Sequence, residues 1–432
     1  MISYPRASAR IGDFKKGVIV RQDPKTIDLG YEPGGLLEVP DQPGHWILHM
    51  GPQHPATHTT IHLVLELDGE RIVKAVPHIG YLHSGFEKLG EYHTFDQYVT
   101  VCDRMNYVSP MANDLAWHHT IEKLMGIEIT PRCKYIRTII AEMARIQDHC
   151  LSVGELALEM GAFTAFLYLF NEREFLMDCL EHLCGARFTN SWTRIGGAMS
   201  DISAGWVERM RKFCGHFPQV LAETHKLLTR NRIFWERSKN VAVMGQEDAS
   251  NWGWTGPIAR ASGITRDLRK DEPYLAYGEL DFDVAVATGG DVLARYLVRM
   301  EEMSQAVRII SSALENIPPG SINVDRELKT ILPDKAEVYG SIEGLITHFE
   351  ILMPNRLPIT PVAEVYGAQE TANGELGFYL VSQGVARAWR VKVRSPSLIH
   401  LQAAGHLLRG HTISEVVVAL SSLNIIAAEL DR

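Results

Sequence analysis

Hydrophobic and polar positions alternate from Thr60 to Val76, where TIHLVLEL and RIVKAV flank Asp68-Gly69-Glu70. A period of two on either side of a turn glycine predicts a β-hairpin. Past that point the apolar period lengthens to that of helices. Helices are expected over Ala112–Met125, with a break at Gly126, then Tyr135–Glu159, Leu167–Cys184 and Gly205–Leu228. The second of these is apolar on most faces, which predicts a buried helix. Asp291–Asn316 is the longest expected helix and stops before Pro318-Pro319-Gly320. In the last third, GELGFYLVSQ and ARAWRVKVRS bracket a glycine turn and predict a second hairpin, with a helix over Thr412–Leu423. Residues 1–50 carry Pro and Gly without a steady period and read as an extended arm. Residues 51–432 read as one domain: a hairpin at about 60–76, a helical core at about 112–316 and a mixed part at about 320–432. The expected fold class is mainly α with small antiparallel β-hairpins (α+β).

Composition narrows the function classes. The chain has 432 residues, 46% hydrophobic and 22% charged, which is enough apolar material for a large core. A net charge of −9 without a basic stripe argues against a nucleic-acid partner. Six cysteines stand at irregular spacings with no Cys-x-x-Cys, so the chain is expected to hold neither a zinc ribbon nor an iron–sulfur cluster. Scattered thiols fit a reducing compartment. No apolar run is long enough to span a membrane, and the first residues lack a secretory core.

Two segments carry candidate chemistry. Gly51-Pro52-Gln53-His54-Pro55-Ala56-Thr57-His58 places two histidines on a turn stiffened by Pro52 and Pro55. Asp103-Arg104-Met105-Asn106-Tyr107 offers a phenol just ahead of a helix. Imidazole and phenol together suit the gripping and protonation of the two carbonyl oxygens of a quinone. The bland readings stand beside this. His54 and His58 at i, i+4 would be half a metal site on a helix, but prolines break that geometry. A histidine or tyrosine is by default a satisfied structural residue. The run Asp267–Glu272 reads as a solvated charged segment or a contact between subunits.

The residues then support a resemblance. GPQHPATH, HIGYLHSGFEKL, DRMNYVS, FTNSWTRIGG, TGPIARASG, DLRKDEPY, RYLVRMEEM, GELGFYLVS and the terminal ELDR follow one another in order from residue 45 to Arg432. In these the chain resembles the 49-kDa-type subunit of respiratory complex I, the NADH:quinone oxidoreductase. That family is similar in turn to the large subunit of nickel–iron hydrogenases, whose helical core is therefore implied here. Hydrogenases hold their metals with two cysteine pairs. The positions matching them are Asn106 and Ser109 in RMNYVS, and Ile426 and Glu429 in NIIAAE. Such a donor set does not suit nickel and iron.

The resemblance implies a quinone-headgroup site with Tyr107 and His58 as ligands, His54 beside them, and Glu159 as a third catalytic residue. Glu159 stands where the family usually carries Asp, and Asn424 likewise replaces a usual Asp. Quinone is the implied substrate, no metal is bound by this chain, and a 4Fe–4S cluster belongs to a small adjacent subunit. Arg194 and His225 are candidate contacts near that cluster. Further implied partners are a 30 kDa-type peripheral subunit and a quinone-chamber membrane subunit in a hetero-oligomer. The implied place is the cytoplasmic face of a bacterial inner membrane, the mitochondrial matrix face being the other compatible one. A catalytically silent scaffold joining the two arms of such a complex is the alternative.

Overall fold

Four antiparallel strands come first among the described residues, β1 (Leu36–Glu38), β2 (His45–Met50), β3 (His62–Asp68) and β4 (Arg71–His78), in the sheet order β1-β2-β3-β4. The computed structural model describes residues 36–38, 44–57, 59–325, 330, 332–353 and 360–432. Most of the segment read as an extended arm therefore lies outside the described residues, and so does His58. The part that is described corrects the expectation: HWILHM is a strand, with Met50 opposite Leu63 and His45 opposite Asp68. Its histidines and tryptophan blur the alternation that would have revealed it. The expected hairpin is β3–β4, turning through Gly69 at φ +61.

Alternation gives this sheet two faces. Met50, Leu63, Leu65, Leu67 and Ile72 enter the main core, while Ile47, Val64 and Val76 form a small cluster on the other side. His49 and His62 join them through a 3.0 Å bond between Nδ1 and Nε2. The His62 ring also stacks on His78, and its Nδ1 lies 3.3 Å from the Tyr81 hydroxyl.

Helices dominate the rest: α1 (Pro110–Met125), α2 (Pro131–Glu159), α3 (Phe163–Cys184), α4 (Ala204–Thr224), α5 (Val292–Glu315), α6 (Ile342–Leu352) and α7 (Ile413–Leu423). The longest is α2, with 29 residues against 24 in α5, contrary to the sequence expectation. Its extra turn comes from Pro131, which is set for the first helical position, and from Thr130, whose Oγ1 accepts from Cys133 N at 3.2 Å. α4 ends four residues before the expected Leu228 and continues as a π-turn over His225–Thr229. A second sheet, β5 (Val362–Glu370), β6 (Glu375–Gln383) and β7 (Ala388–Arg394), is antiparallel in that order. It lies against α1 at Gly367, where a Cβ would stand 2.4 Å from Thr120 Oγ1. The fold is thus mainly helical with small antiparallel sheets, as expected.

α2 runs through the core against α3, α5 and α7. It is buried, yet it carries charge, and its buried charged side chains are held by partners. Arg137 grips both oxygens of Glu122 at 2.8 Å. Glu142 accepts from the Tyr277 hydroxyl at 2.6 Å and pairs with Arg145 and Arg269. Across the core Arg260 binds Glu302 at 2.7 Å and Glu370 at 2.8 Å, while His149 meets Glu302 at 2.8 Å. The run at 267–272 belongs partly to this network. Asp267 and Arg269 are buried and paired at 2.7 Å, which corrects the solvated reading, while Lys270, Asp271 and Glu272 are exposed. By contrast α6 presents Ile342, Leu345, Ile346, Phe349 and Leu352 to solvent. Among the described residues no helix is long and apolar enough to cross a membrane.

Candidate functional site

Two of the four positions that the resemblance matches to hydrogenase cysteines, Asn106 and Ser109, meet at one carboxylate. Asp148, deep in α2, accepts from Asn106 Nδ2 at 3.2 Å, Ser109 Oγ at 2.9 Å and Asn424 Nδ2 at 2.6 Å. The loop 103–109 is shaped to do this. Asn106 Oδ1 accepts from the backbone of Val108 and Ser109, and Asn113 Nδ2 holds the Asn106 carbonyl at 3.1 Å. Asn424 closes α7 in the left-handed conformation, φ 54 and ψ 58, which turns its amide toward Asp148 and Asn373. One turn further on, Ser397 Oγ meets both the Glu429 carboxyl and the Ile426 backbone N–H. Burial, then the nearby Asp148, pushes Glu429 up to about 7.

Two of the four ligand positions are therefore engaged with Asp148, and the other two are an isoleucine and a buried carboxyl. An oxygen and amide set already spent on internal hydrogen bonds does not fit a thiolate-bound nickel–iron centre. Among the described residues no group of three or more His, Cys, Asp or Glu side chains is placed to hold a metal ion.

Beside this network is a cavity of about 60 Å³. Thr57 and Ile61 wall it from the β2–β3 connection, Tyr107 from the loop before α1, Glu155 from α2, and Ser421 and Asn424 from the end of α7. Gly51 allows the β2–β3 connection its close approach: at φ +90, a Cβ would lie 2.0 Å from the Ile61 carbonyl oxygen. Burial raises the Tyr107 phenol above its ordinary value, and the carboxyls of Glu155 and Asp148 add to this. Burial also raises Glu155, helped by Asp148 and Glu159 and opposed by Arg173, to about 7.

The sequence candidates separate on this map. Tyr107 is in the cavity wall. His54 is exposed and serves its own turn, its Nδ1 accepting from Ala56 N at 3.1 Å and its carbonyl from Thr57 N at 3.1 Å. Glu159 closes α2, half-buried, and does not line the cavity. Burial raises its carboxyl, with Arg237 and His54 opposing. Arg194 donates to the Thr193 carbonyl at 2.7 Å and lines a separate cavity of about 870 Å³ together with Asp96 and Met199. His225 bonds Thr229 Oγ1 at 2.8 Å, which in turn reaches the Tyr296 hydroxyl at 2.8 Å on α5. Neither of these two lines the smaller cavity.

Asp148 and Glu155 escaped the sequence reading. Their signal was available: Asp148, Glu155 and Glu159 sit at i, i+7 and i+11 of a helix otherwise read as apolar, which puts three acids on one face.

The family described as respiratory-chain NADH dehydrogenase, 49 kDa subunit, matches residues 159–432. The chain belongs to this family. The D-type subunit of NADH-quinone oxidoreductase from Pelobacter propionicus is 44% identical over 396 residues, covering 92% of this chain and 98% of the relative. Its counterpart in Methylacidiphilum infernorum is 46% identical over 386 residues, covering 89% and 92%. In Bdellovibrio bacteriovorus the relative is a combined C/D-type subunit, 44% identical over 385 residues, 89% of this chain and 68% of the relative. Membership in the 49 kDa family makes the chain a subunit of an NADH–quinone oxidoreductase.

Proposed function

We propose that this chain forms the quinone-headgroup site of its complex, with Tyr107 as proton-donating ligand to one carbonyl oxygen and His58 to the other. The observation that carries the reading is Tyr107 itself, a phenol walling a cavity next to a loop whose Asn106 and Ser109 side chains are engaged with Asp148. Reduction of a quinone takes two electrons and two protons. A phenol with an ordinary pKa of about 10 stays protonated until charge develops on the quinone oxygen. Imidazole donates and recovers its proton near neutral pH. A cavity of about 60 Å³ takes a few water molecules. In this reading the headgroup meets Tyr107 at the cavity mouth, and the protons come from behind it.

The electrons come from a 4Fe–4S cluster in a small adjacent subunit. The scattered cysteines of this chain, four of them buried and two half-buried, have no cluster-binding arrangement. The other proposed partners are a 30 kDa-type peripheral subunit and a quinone-chamber membrane subunit, on the cytoplasmic face of a bacterial inner membrane. The combined C/D relative supports a C-type neighbour.

The test is the intact complex carrying Tyr107→Phe, assayed for quinone reduction and for electron transfer to an artificial acceptor at the input end. Loss of general-acid help predicts roughly a hundredfold fall in quinone reduction, with the input-end rate unchanged. Retention of both activities would move the site elsewhere and favour a silent scaffold.

A further inference from the structure

We propose that Glu155 is the acid that returns a proton to Tyr107 after the headgroup has taken one, a role that rests on the reading of Tyr107 above. Placement is the first support. Glu155 and Tyr107 wall the same cavity, whose volume of about 60 Å³ admits a short water chain between them. Ser421 and Asn424 line that cavity too, so polar residues border such a chain.

The course of α2 is the second support. Glu155 follows Asp148 by seven residues and precedes Glu159 by four, so the three acids share one helix face from the network around Asp148 to the helix end. Glu159, the acid that the family resemblance put forward, stands at that end beside Arg237 and His54 and outside the cavity wall.

The third support is the charge around the group. Asp148 and Glu159 face Glu155 from its own helix, Tyr107 faces it from the loop, and Arg173 opposes them from α3. Ser421 and Asn424, contributed by the end of α7, bring no charge. Burial and the two acids together hold the carboxyl near 7, so it carries a proton through the lower half of the neutral range.

The step is balanced. Glu155–COOH and Tyr107–O⁻ become Glu155–COO⁻ and Tyr107–OH, with one O–H bond broken and one formed. The two electrons for the quinone come from the one-electron carrier of the neighbouring subunit. The phenol's ordinary pKa of about 10 makes the transfer from a carboxyl near 7 downhill.

The intact complex carrying Glu155→Gln tests this, beside wild type and Tyr107→Phe, with quinone-reduction rates followed from pH 6 to pH 8.5. Wild type should slow as pH rises through about 7, where the donor is lost. Glu155→Gln should be slower at pH 6 by about tenfold or more, with that pH dependence flattened and the quinone KM and input-end rate unchanged. Glu155→Asp, which restores a carboxyl one methylene shorter, should recover part of the rate and a displaced pH midpoint. A Gln variant with wild-type rate and profile, beside an inactive Tyr107→Phe, overturns the role of Glu155 alone. An active Tyr107→Phe overturns the reading beneath it. Should neither Glu155 variant assemble, a wild-type profile flat across that range still overturns the proposal.

Discussion

Asn424 Nδ2 donates to Asp148 Oδ1 across 2.6 Å, so an acid on α2 meets the amide that ends α7. The resemblance had suggested that Asn424 strips the region of a titratable group. The structure supplies one directly opposite.

Asn424→Asp should therefore harm the protein in a pH-dependent way. The change removes a donor to a buried carboxylate and sets two carboxyls in contact, an arrangement relieved only by a shared proton. At pH 8 the expected cost is about 1–3 kcal/mol, and at pH 5 it should be smaller. Thermal inactivation midpoints of the complex at the two pH values measure it. Equal losses at both would show that the pair is not coupled. The double exchange Asp148→Asn with Asn424→Asp should recover most of the stability.

His62 predicts acid sensitivity of the first sheet. Burial lowers its pKa from 6.5 to about 4, with His78 and His49 adding to the shift, and both of those rings are lowered by burial too. Because the unfolded chain then binds more protons, stability is full above about 6.5 and is lost as pH falls toward 4. Amide exchange over residues 45–50, 62–68 and 71–78, corrected for intrinsic rates, should lose protection at pH 5 relative to pH 7. In His62→Phe the difference should shrink, and an unchanged difference would assign the effect to other groups.

Arg260→Met should be among the most damaging single changes in the core. It leaves Glu302 and Glu370 without their shared guanidinium, in a place where both are buried. Removing one member of a buried ion network costs about 3–5 kcal/mol. The assembled fraction of the complex after mild heating reads the effect, and a variant as heat-resistant as wild type would refute it.

The isolated chain should associate with itself. α6 exposes Ile342 at 74%, Ile346 at 52%, Phe349 at 55% and Leu352 at 52% of their surfaces, a contiguous apolar strip. Size-exclusion chromatography should show oligomers or aggregate. Ile346→Glu with Phe349→Glu should raise the monomer fraction, and a wild-type chain that elutes as a monomer contradicts the expectation.

Periodicity made the skeleton legible. The β3–β4 and β6–β7 hairpins and the long helices follow from alternation, turn glycines and the Pro318-Pro319 stop. What it could not deliver were features set by long-range contact. HWILHM became a strand because β3 stands beside it, and Arg269 is buried because Glu142 lies 3.2 Å away, 127 residues distant in sequence. Of the candidate site, Tyr107, which lines the cavity, was put forward from the segment that contains it. Glu155 was signalled only by its spacing from Asp148 and Glu159, and its meaning depends on the cavity it faces.

The left-handed backbone at Asn424 reaches beyond capping. A residue at φ 54 and ψ 58 is comfortable only as glycine, asparagine or aspartate. Glycine would leave Asp148 without its nearest donor. The end of α7 thus narrows this corner of the pocket to two side chains of nearly equal shape, one neutral and one acidic. Descendants of this chain can move the charge here from one wall to the other only by changing Asp148 together with Asn424.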